Sequence, residues 1–224
     1  PLLDAFNFWS SLPLGYQHEI FRSSEYLEES RIAAEYKLPS GQVSSEIFKS
    51  FVEEFHSHCS KDYFSKYYFI HGGALGVDAA VKVAFDYKKA INEKNKLQVK
   101  PEDYFFISFK NSFHGVTGFS LSLTDVPPVK IDGFAKSDWP RFQGPSIKFP
   151  LDEKEEARLE KLEAETAKKI RAEIESRGQK NAAGIMIEPI QGGGGDHHFR
   201  ESFFKILRDI CDEYEMPLIF DEVQ

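Results

Sequence analysis

The residues best equipped for chemistry in this sequence stand where apolar runs end. Leu218-Ile219-Phe220 is followed at once by Asp221 and Glu222. A short apolar run behind a helical segment and Met216-Pro217 reads as a buried strand. Its acidic ending sets a carboxylate at the carboxyl edge of a sheet, where open α/β sheets bind ligands. Residues 183–187 form a second such run, ending in Glu188-Pro189, and Gly192 to Gly195 follow closely. Consecutive glycines let the backbone approach a ligand closely or flex. Residues 104–109 lead into Phe113-His114-Gly115. An aromatic side chain at that edge can stack on a flat ring. His114 is open to three readings: a proton carrier, a ring partner, or a hydrogen-bonded loop residue. Residues 67–70 lead into Gly72-Gly73-Ala74, just before a helical pattern. Free N–H groups at a helix start suit a phosphate. That turn has neither the Lys-Ser/Thr of a Walker loop nor a GxGxxG spacing, and it serves equally as a plain connection.

Four strand ends therefore offer a phosphate turn, an aromatic plate, an acid and a terminal aspartate. An aspartate facing a pyridine nitrogen favours the protonated ring, because opposite charge favours the charged form. A protonated pyridine is an electron sink. The set points to pyridoxal 5′-phosphate. His197-His198 invites a metal reading, but adjacent side chains point in different directions, so no metal site is expected.

The elements that must carry these residues follow from periodicity. Residues 1–45 are irregular, punctuated by Pro13, Gly15, Pro39 and Gly41, with strand-like Phe6–Trp9 and a polar helical piece at 24–36. Ile47, Phe48, Phe51, Val52 and Phe55 share one helical face. Leu75, Ala79, Val83, Ala84, Tyr87 and Ile91 mark a long helix, and residues 92–101 a polar loop. Five prolines make residues 125–150 an extended, loop-rich crossing. Residues 152–177 read as a solvated charged helix, acids early and bases late, as the helix dipole prefers. Residues 199–214 form the last helix. Strands separated by helices imply an α/β fold with a mainly parallel sheet and right-handed crossovers.

Composition narrows the partners. The 224 residues are 41% hydrophobic, enough for one sizeable core. A net charge of -8 without a basic stripe argues against nucleic acid. No apolar run is long enough for a membrane helix, and the first residues carry no basic region of a signal peptide. Two cysteines, Cys59 and Cys211, fit a reducing cytoplasm better than a disulfide scaffold. The start at Pro1 and the end at Gln224, directly after the most chemically loaded strand, lead us to expect a fragment.

The order Gly-Gly-Ala, Ser-Phe-His-Gly, Asp138-Trp139-Pro140, Glu188-Pro-Ile-Gln-Gly192 and Phe220-Asp-Glu-Val-Gln224 resembles the class III pyridoxal-phosphate aminotransferases. His71–Leu75, Phe85–Lys88, Leu121–Thr124 and Gly195–Arg200 are most similar to the L-lysine 6-aminotransferases within that class. The resemblance spans nearly the whole chain. It implies a three-layer αβα, fold-type I large domain, with residues 1–45 leading into it and 46–224 forming part of it. It implies transfer of the terminal amino group of L-lysine to 2-oxoglutarate, ping-pong through a pyridoxamine form, in a cytoplasmic homodimer. The alternatives are 4-aminobutyrate or another omega-amino acid as donor, or a non-catalytic binding or dimerisation module. Gly73 and Ala74 would hold the phosphate, Phe113 would stack on the ring, and His114 would lie beside it. Glu188 would support the pocket, and Asp221 would pair with the pyridine nitrogen as the catalytic residue. Val223 would press the other ring face, and Gln224 would reach the ring hydroxyl. The family's Schiff-base lysine would lie beyond Gln224. Two positions depart from the family pattern: Val116 stands where an arginine is usual, and Gly193 where a glutamate commonly masks a downstream arginine.

Overall fold

The computed structural model describes residues 11–36, 44–60 and 63–223. Two compact units divide the chain, Pro1–Phe69 and Ile70–Gln224. In the first, α1 (Ser24–Tyr36) is polar, and its Arg31 lies between Glu28 at 2.7 Å and Glu35. Ser45 caps α2 (Glu46–Phe55), its hydroxyl accepting the Phe48 N–H at 3.3 Å. Phe48, Phe51 and Phe55 close around Phe69, with ring centroids 5.8, 5.0 and 5.3 Å away. That packing overturns one expectation. The run 67–70 is extended but has no strand partner among the described residues. The rings of Tyr67 and Phe69 pack on α2 instead of entering a sheet. The strand expected at Phe6–Trp9 lies outside the described residues.

The second unit runs α3 (Gly73–Lys94), β1 (Phe105–Phe109), α4 (Gly118–Leu123), β2 (Arg141–Phe142), α5 (Glu153–Arg177), β3 (Ala182–Ile187), β4 (Ile190–Gln191), β5 (His197–His198), α6 (Glu201–Glu213) and β6 (Leu218–Phe220). Four strands make one parallel sheet in the order β2-β1-β3-β6. Ser108 pairs with Arg141, Phe105 with Ala182, and Ile185 with Leu218. Every residue of β1 and β3 is buried, as strands covered on both faces require. On one face Phe106 meets Phe85 of α3 and Trp139, both at 5.5 Å. On the other, Phe109 meets Phe203 of α6 at 5.7 Å, and Arg177 of α5 lies 5.6 Å from the Phe105 ring centroid. Helices on both faces give the three layers expected. Gly184 makes the centre possible, since a Cβ there would lie 2.7 Å from the Phe106 ring and 3.2 Å from the Pro217 carbonyl.

Three elements escaped the sequence pattern: β2, α4 and the antiparallel β4–β5 hairpin. The last holds His197-His198 opposite Gln191 and Ile190, and no metal-binding group of three His, Cys, Asp or Glu occurs among the described residues. Helix α3 extends to Lys94, three residues into the expected loop. Helix α5 is more than a solvated face. Leu159, Ile170 and Ile174 are fully buried along it, and so is Glu163 at 2% exposure. Glu163 accepts two bonds from Arg200, at 2.9 and 2.8 Å, and one from the Ser202 hydroxyl at 3.0 Å. These bonds fasten α5 to the start of α6. At the other end of α6, buried Lys88 donates from Nζ to the Tyr214 carbonyl at 2.6 Å. Burial lowers its pKa, yet an ammonium at a helix C-terminus satisfies a carbonyl the helix leaves open. It thereby fixes the turn through Met216-Pro217 that starts β6. Cys211 is buried and its thiol is pushed up to about 12, which rules out a thiolate nucleophile; Cys59 is exposed, and both are free.

Candidate active site

In a parallel sheet the carboxyl ends of the strands lie along one edge. Here the chain continues from β1 into residues 110–116, from β3 into Glu188, and from β6 into Asp221. The ladder runs one step past the strands, since Asp221 N–H donates to the Ile187 carbonyl at 3.0 Å. Glu188 and Asp221 therefore stand on neighbouring strand ends. The loop after β1 folds back over both. Phe113 N–H donates to Glu188 Oε1 at 2.8 Å. His114 Nδ1 lies 2.8 Å from Asp221 Oδ2. A carboxylate only accepts, so Nδ1 carries the proton and donates. The imidazole is buried, and its Nε2 has no hydrogen-bond partner among the described residues. Asp221 is the more open member, its side chain 14% exposed, and Oδ1 takes no protein hydrogen bond among the described residues.

The rest of the loop is braced from two sides. Gln191 Nε2 donates to the Lys110 carbonyl at 3.1 Å. The glycine turn packs directly on the loop: a Cβ at Gly193 would lie 3.3 Å from Phe113 Cβ, and one at Gly194 would strike the Asn111 carbonyl. Gly115, at φ 117°, approaches so closely that a Cβ would lie 2.5 Å from Ala74 Cβ. The Gly72 turn and the Phe113 loop are thus neighbours. Gly72, at φ 89°, precedes α3 and gives it no side-chain cap. The N–H groups of Gly73 and Ala74 open the helix with no carbonyl one turn behind them. The structure therefore brings together Ala74, Phe113, His114, Glu188 and Asp221. Val223 is 57% exposed two residues past Asp221, and Gln224 lies outside the described residues. Sequence reasoning missed Asp78 and Thr124, which hold the loop from behind. The motif Leu121-Ser-Leu-Thr124 contained the second; the first carried no signal.

The site's electrostatics follow from burial. Desolvation pushes the Glu188 carboxyl up to about 6; the Phe113 N–H and His114 oppose this, and Asp221 adds to it. The folded carboxyl keeps its proton above the ordinary value near 4.5, so the stability it contributes is full below that pH and is lost as pH rises through 6. Glu188→Gln keeps an oxygen for Phe113 N–H and removes the titration. The apo variant is expected to gain about 2 kcal/mol relative to wild type between pH 4 and pH 8. Urea midpoints at the two pH values check this; an unchanged difference between the proteins rules it out.

The donor set fits a flat phosphorylated pyridine. An uncapped helix start offers N–H groups to a dianion, the Phe113 ring is 41% exposed at the sheet edge, and Asp221 keeps one oxygen for a cationic N–H.

Sequence comparison agrees with this geometry. The chain matches the family Aminotransferase class-III over residues 1–224, and it belongs to that family. Enzymes of the family use pyridoxal 5′-phosphate. Among its relatives is the L-lysine-epsilon aminotransferase of Mycobacterium tuberculosis (strain ATCC 25618 / H37Rv), 38% identical over 223 residues, covering 99% of this chain and 49% of that protein. The protein of the same name from Amycolatopsis lactamdurans is 34% identical over 232 residues, with coverages of 99% and 49%. The solved structure of lysine aminotransferase from M. tuberculosis superposes with a TM-score of 0.87 at 37% identity, covering 97% of this chain and 49% of that one. The chain spans about half the length of the curated relatives it matches. No helix among the described residues is long and apolar enough to cross a membrane.

Proposed function

We propose that this chain serves an aminotransferase that moves the terminal amino group of L-lysine to 2-oxoglutarate, with pyridoxal 5′-phosphate held at the carboxyl edge of the sheet. The observation that carries the cofactor reading is the 2.8 Å contact of buried His114 with Asp221. The donor rests on likeness to proteins named for lysine. When bound, the cofactor supplies an electron sink and a carrier for the amino group. The protein's part is to bind, orient and exclude water. Gly73 and Ala74 N–H groups take the phosphate. Phe113 and Val223 cover the two faces of the ring. Asp221 holds the proton on the ring nitrogen, and His114 keeps that carboxylate turned to its task. Glu188 pins the Phe113 backbone, and Gln224 reaches the ring hydroxyl. The working assembly in this reading is a cytoplasmic homodimer acting by a ping-pong scheme. The test is turnover by the full-length protein with L-lysine and 2-oxoglutarate, followed as glutamate and an aldehyde in equal amounts. Turnover with 4-aminobutyrate but not L-lysine reassigns the donor; turnover with neither removes the activity.

Gly193 bears on the donor. An α-carboxylate beside the reacting carbon needs a cation nearby, and a terminal-amine donor leaves that cation unpaired unless an acid masks it. Gly193 has no side chain with which to mask, and a Cβ there would lie 3.3 Å from Phe113 Cβ. Gly193→Glu in the full-length protein is expected to raise kcat/KM for L-lysine over that for L-glutamate by about tenfold, 1.4 kcal/mol. The new Cβ must displace Phe113 by a few tenths of an ångström, so cofactor affinity is measured alongside. An unchanged ratio means that position 193 does not govern the donor.

A further inference from the structure

Asp78 lies in the second turn of α3, close behind the Gly73-Ala74 start. Its carboxylate leaves that helix sideways and serves another. Oδ1 accepts Ser120 N–H at 2.8 Å, and Oδ2 lies 3.5 Å from the Thr117 hydroxyl. Thr117 is the N-cap of α4 and Ser120 is in its first turn. The fit is close: Gly118 has φ 41°, and a Cβ there would run into the Asp78 carboxylate. At the far end of α4, fully buried Thr124 accepts His114 N–H at 2.9 Å and donates to the Gly115 carbonyl at 2.6 Å. Asp125 accepts Asn111 N–H at 2.8 Å, and Ser112 donates to the Leu123 carbonyl at 2.8 Å. From His114 the chain of contacts ends on Asp221. Helix α4 has only six residues, too few to hold its own shape in water. A capping box of Thr117 and Ser120 and the burial of Leu121 and Leu123 help to form it, Arg141 donates to the Ser122 carbonyl, and its two ends are tied by Asp78 and by the Phe113 loop.

The geometry points to Asp78 as a positioning residue that sets the spacing between the phosphate turn at Gly73-Ala74 and the ring site at Phe113, His114 and Asp221. This rests on the cofactor reading given above. A ligand carrying both a ring and a phosphate engages the two ends together only if their spacing is held. The gain from double engagement is an effective concentration, and it falls once the ends move independently. Asp78 touches neither end of the ligand in this scheme; it acts through α4.

The test compares pyridoxine 5′-phosphate with pyridoxine, alcohols that cannot condense with an amine, binding to the full-length apo protein by calorimetry. The quantity read is the advantage in affinity that the phosphate confers. Asp78→Ala is expected to cut that advantage by about tenfold, with pyridoxine itself affected less than about threefold. Asp78→Asn keeps an amide oxygen for Ser120 N–H and is expected to hold the advantage within about twofold of wild type. Asp78→Ser is too short to reach α4 and carries the alanine prediction if the alanine variant does not fold. Equal weakening of both ligands, or a lower melting temperature with an unchanged advantage, makes Asp78 a fold-stabilising residue only and overturns the proposal. Wild-type protein that binds neither compound overturns the cofactor reading itself, and this proposal with it.

Discussion

If the proposed lysine transamination holds, Asp221→Asn in the full-length protein is expected to slow it by about a thousandfold, near 4 kcal/mol of barrier. The asparagine is isosteric, and its oxygen can still accept from His114 Nδ1, 2.8 Å away in the native site. The loop therefore keeps its place, and what disappears is the charge that favours a protonated ring nitrogen. The loss should fall on kcat, because the charge matters most where electrons accumulate in the transition state. Cofactor affinity should change far less, since the phosphate turn and the Phe113 plate are untouched. Stopped-flow traces with L-lysine alone, on protein verified to be loaded, separate the two effects. Near-native rates in the loaded Asn variant remove Asp221 from the catalytic role.

Glu163→Ala is expected to destabilise the fold by about 3 kcal/mol, because it leaves a largely buried guanidinium with only the exposed Glu160, 3.9 Å away, as counter-charge among the pairs described. The Arg200 side chain is 17% exposed and Glu163 only 3%, and Glu163 also accepts from Ser202. Replacing both members of the pair, Glu163→Met with Arg200→Met, is expected to recover most of that loss, since apolar groups of like volume need no partner. Urea unfolding of the two variants decides it. A single-variant loss below about 1 kcal/mol means the pair is screened by water despite its burial.

Glu163 also shows where sequence reasoning stopped. The charge pattern of α5 correctly placed a helix with acids first and bases last, but pattern cannot distinguish one buried acid from its solvated neighbours. Its partner Arg200 is far along the chain, and nothing local announces the pairing. The strands β1 and β3 were legible because they are apolar runs buried on both faces; β6 was legible as an apolar run too, although it is half-buried and its Phe220 exposed, not the buried strand expected. Glu188 and Asp221 were legible as the polar residues that end β3 and β6. Strand β2 was not, because two residues after Pro140 carry no alternation. Helix α4 was not, because Gly118 and two serines look like a loop and part of its support comes from Asp78, far back in the chain. The run 67–70 misled in the opposite sense: it has strand composition, but its rings are claimed by α2. Composition fixes which segments want burial; partners decide the form burial takes.

The pairing of Phe105 with Ala182 sets a timetable for the nascent chain. Strand β1 leaves the ribosome with α3 already made for one face but no strand beside it, and its central partner β3 is about eighty residues behind, roughly four to fifteen seconds at ordinary elongation rates. Only β2 arrives sooner, and it can cover one side of β1 at two positions. The other side stays bare for the whole synthesis of α5. That interval is when a chaperone has most reason to hold this chain, and slowing translation across residues 143–181 should lengthen the hold and increase aggregation.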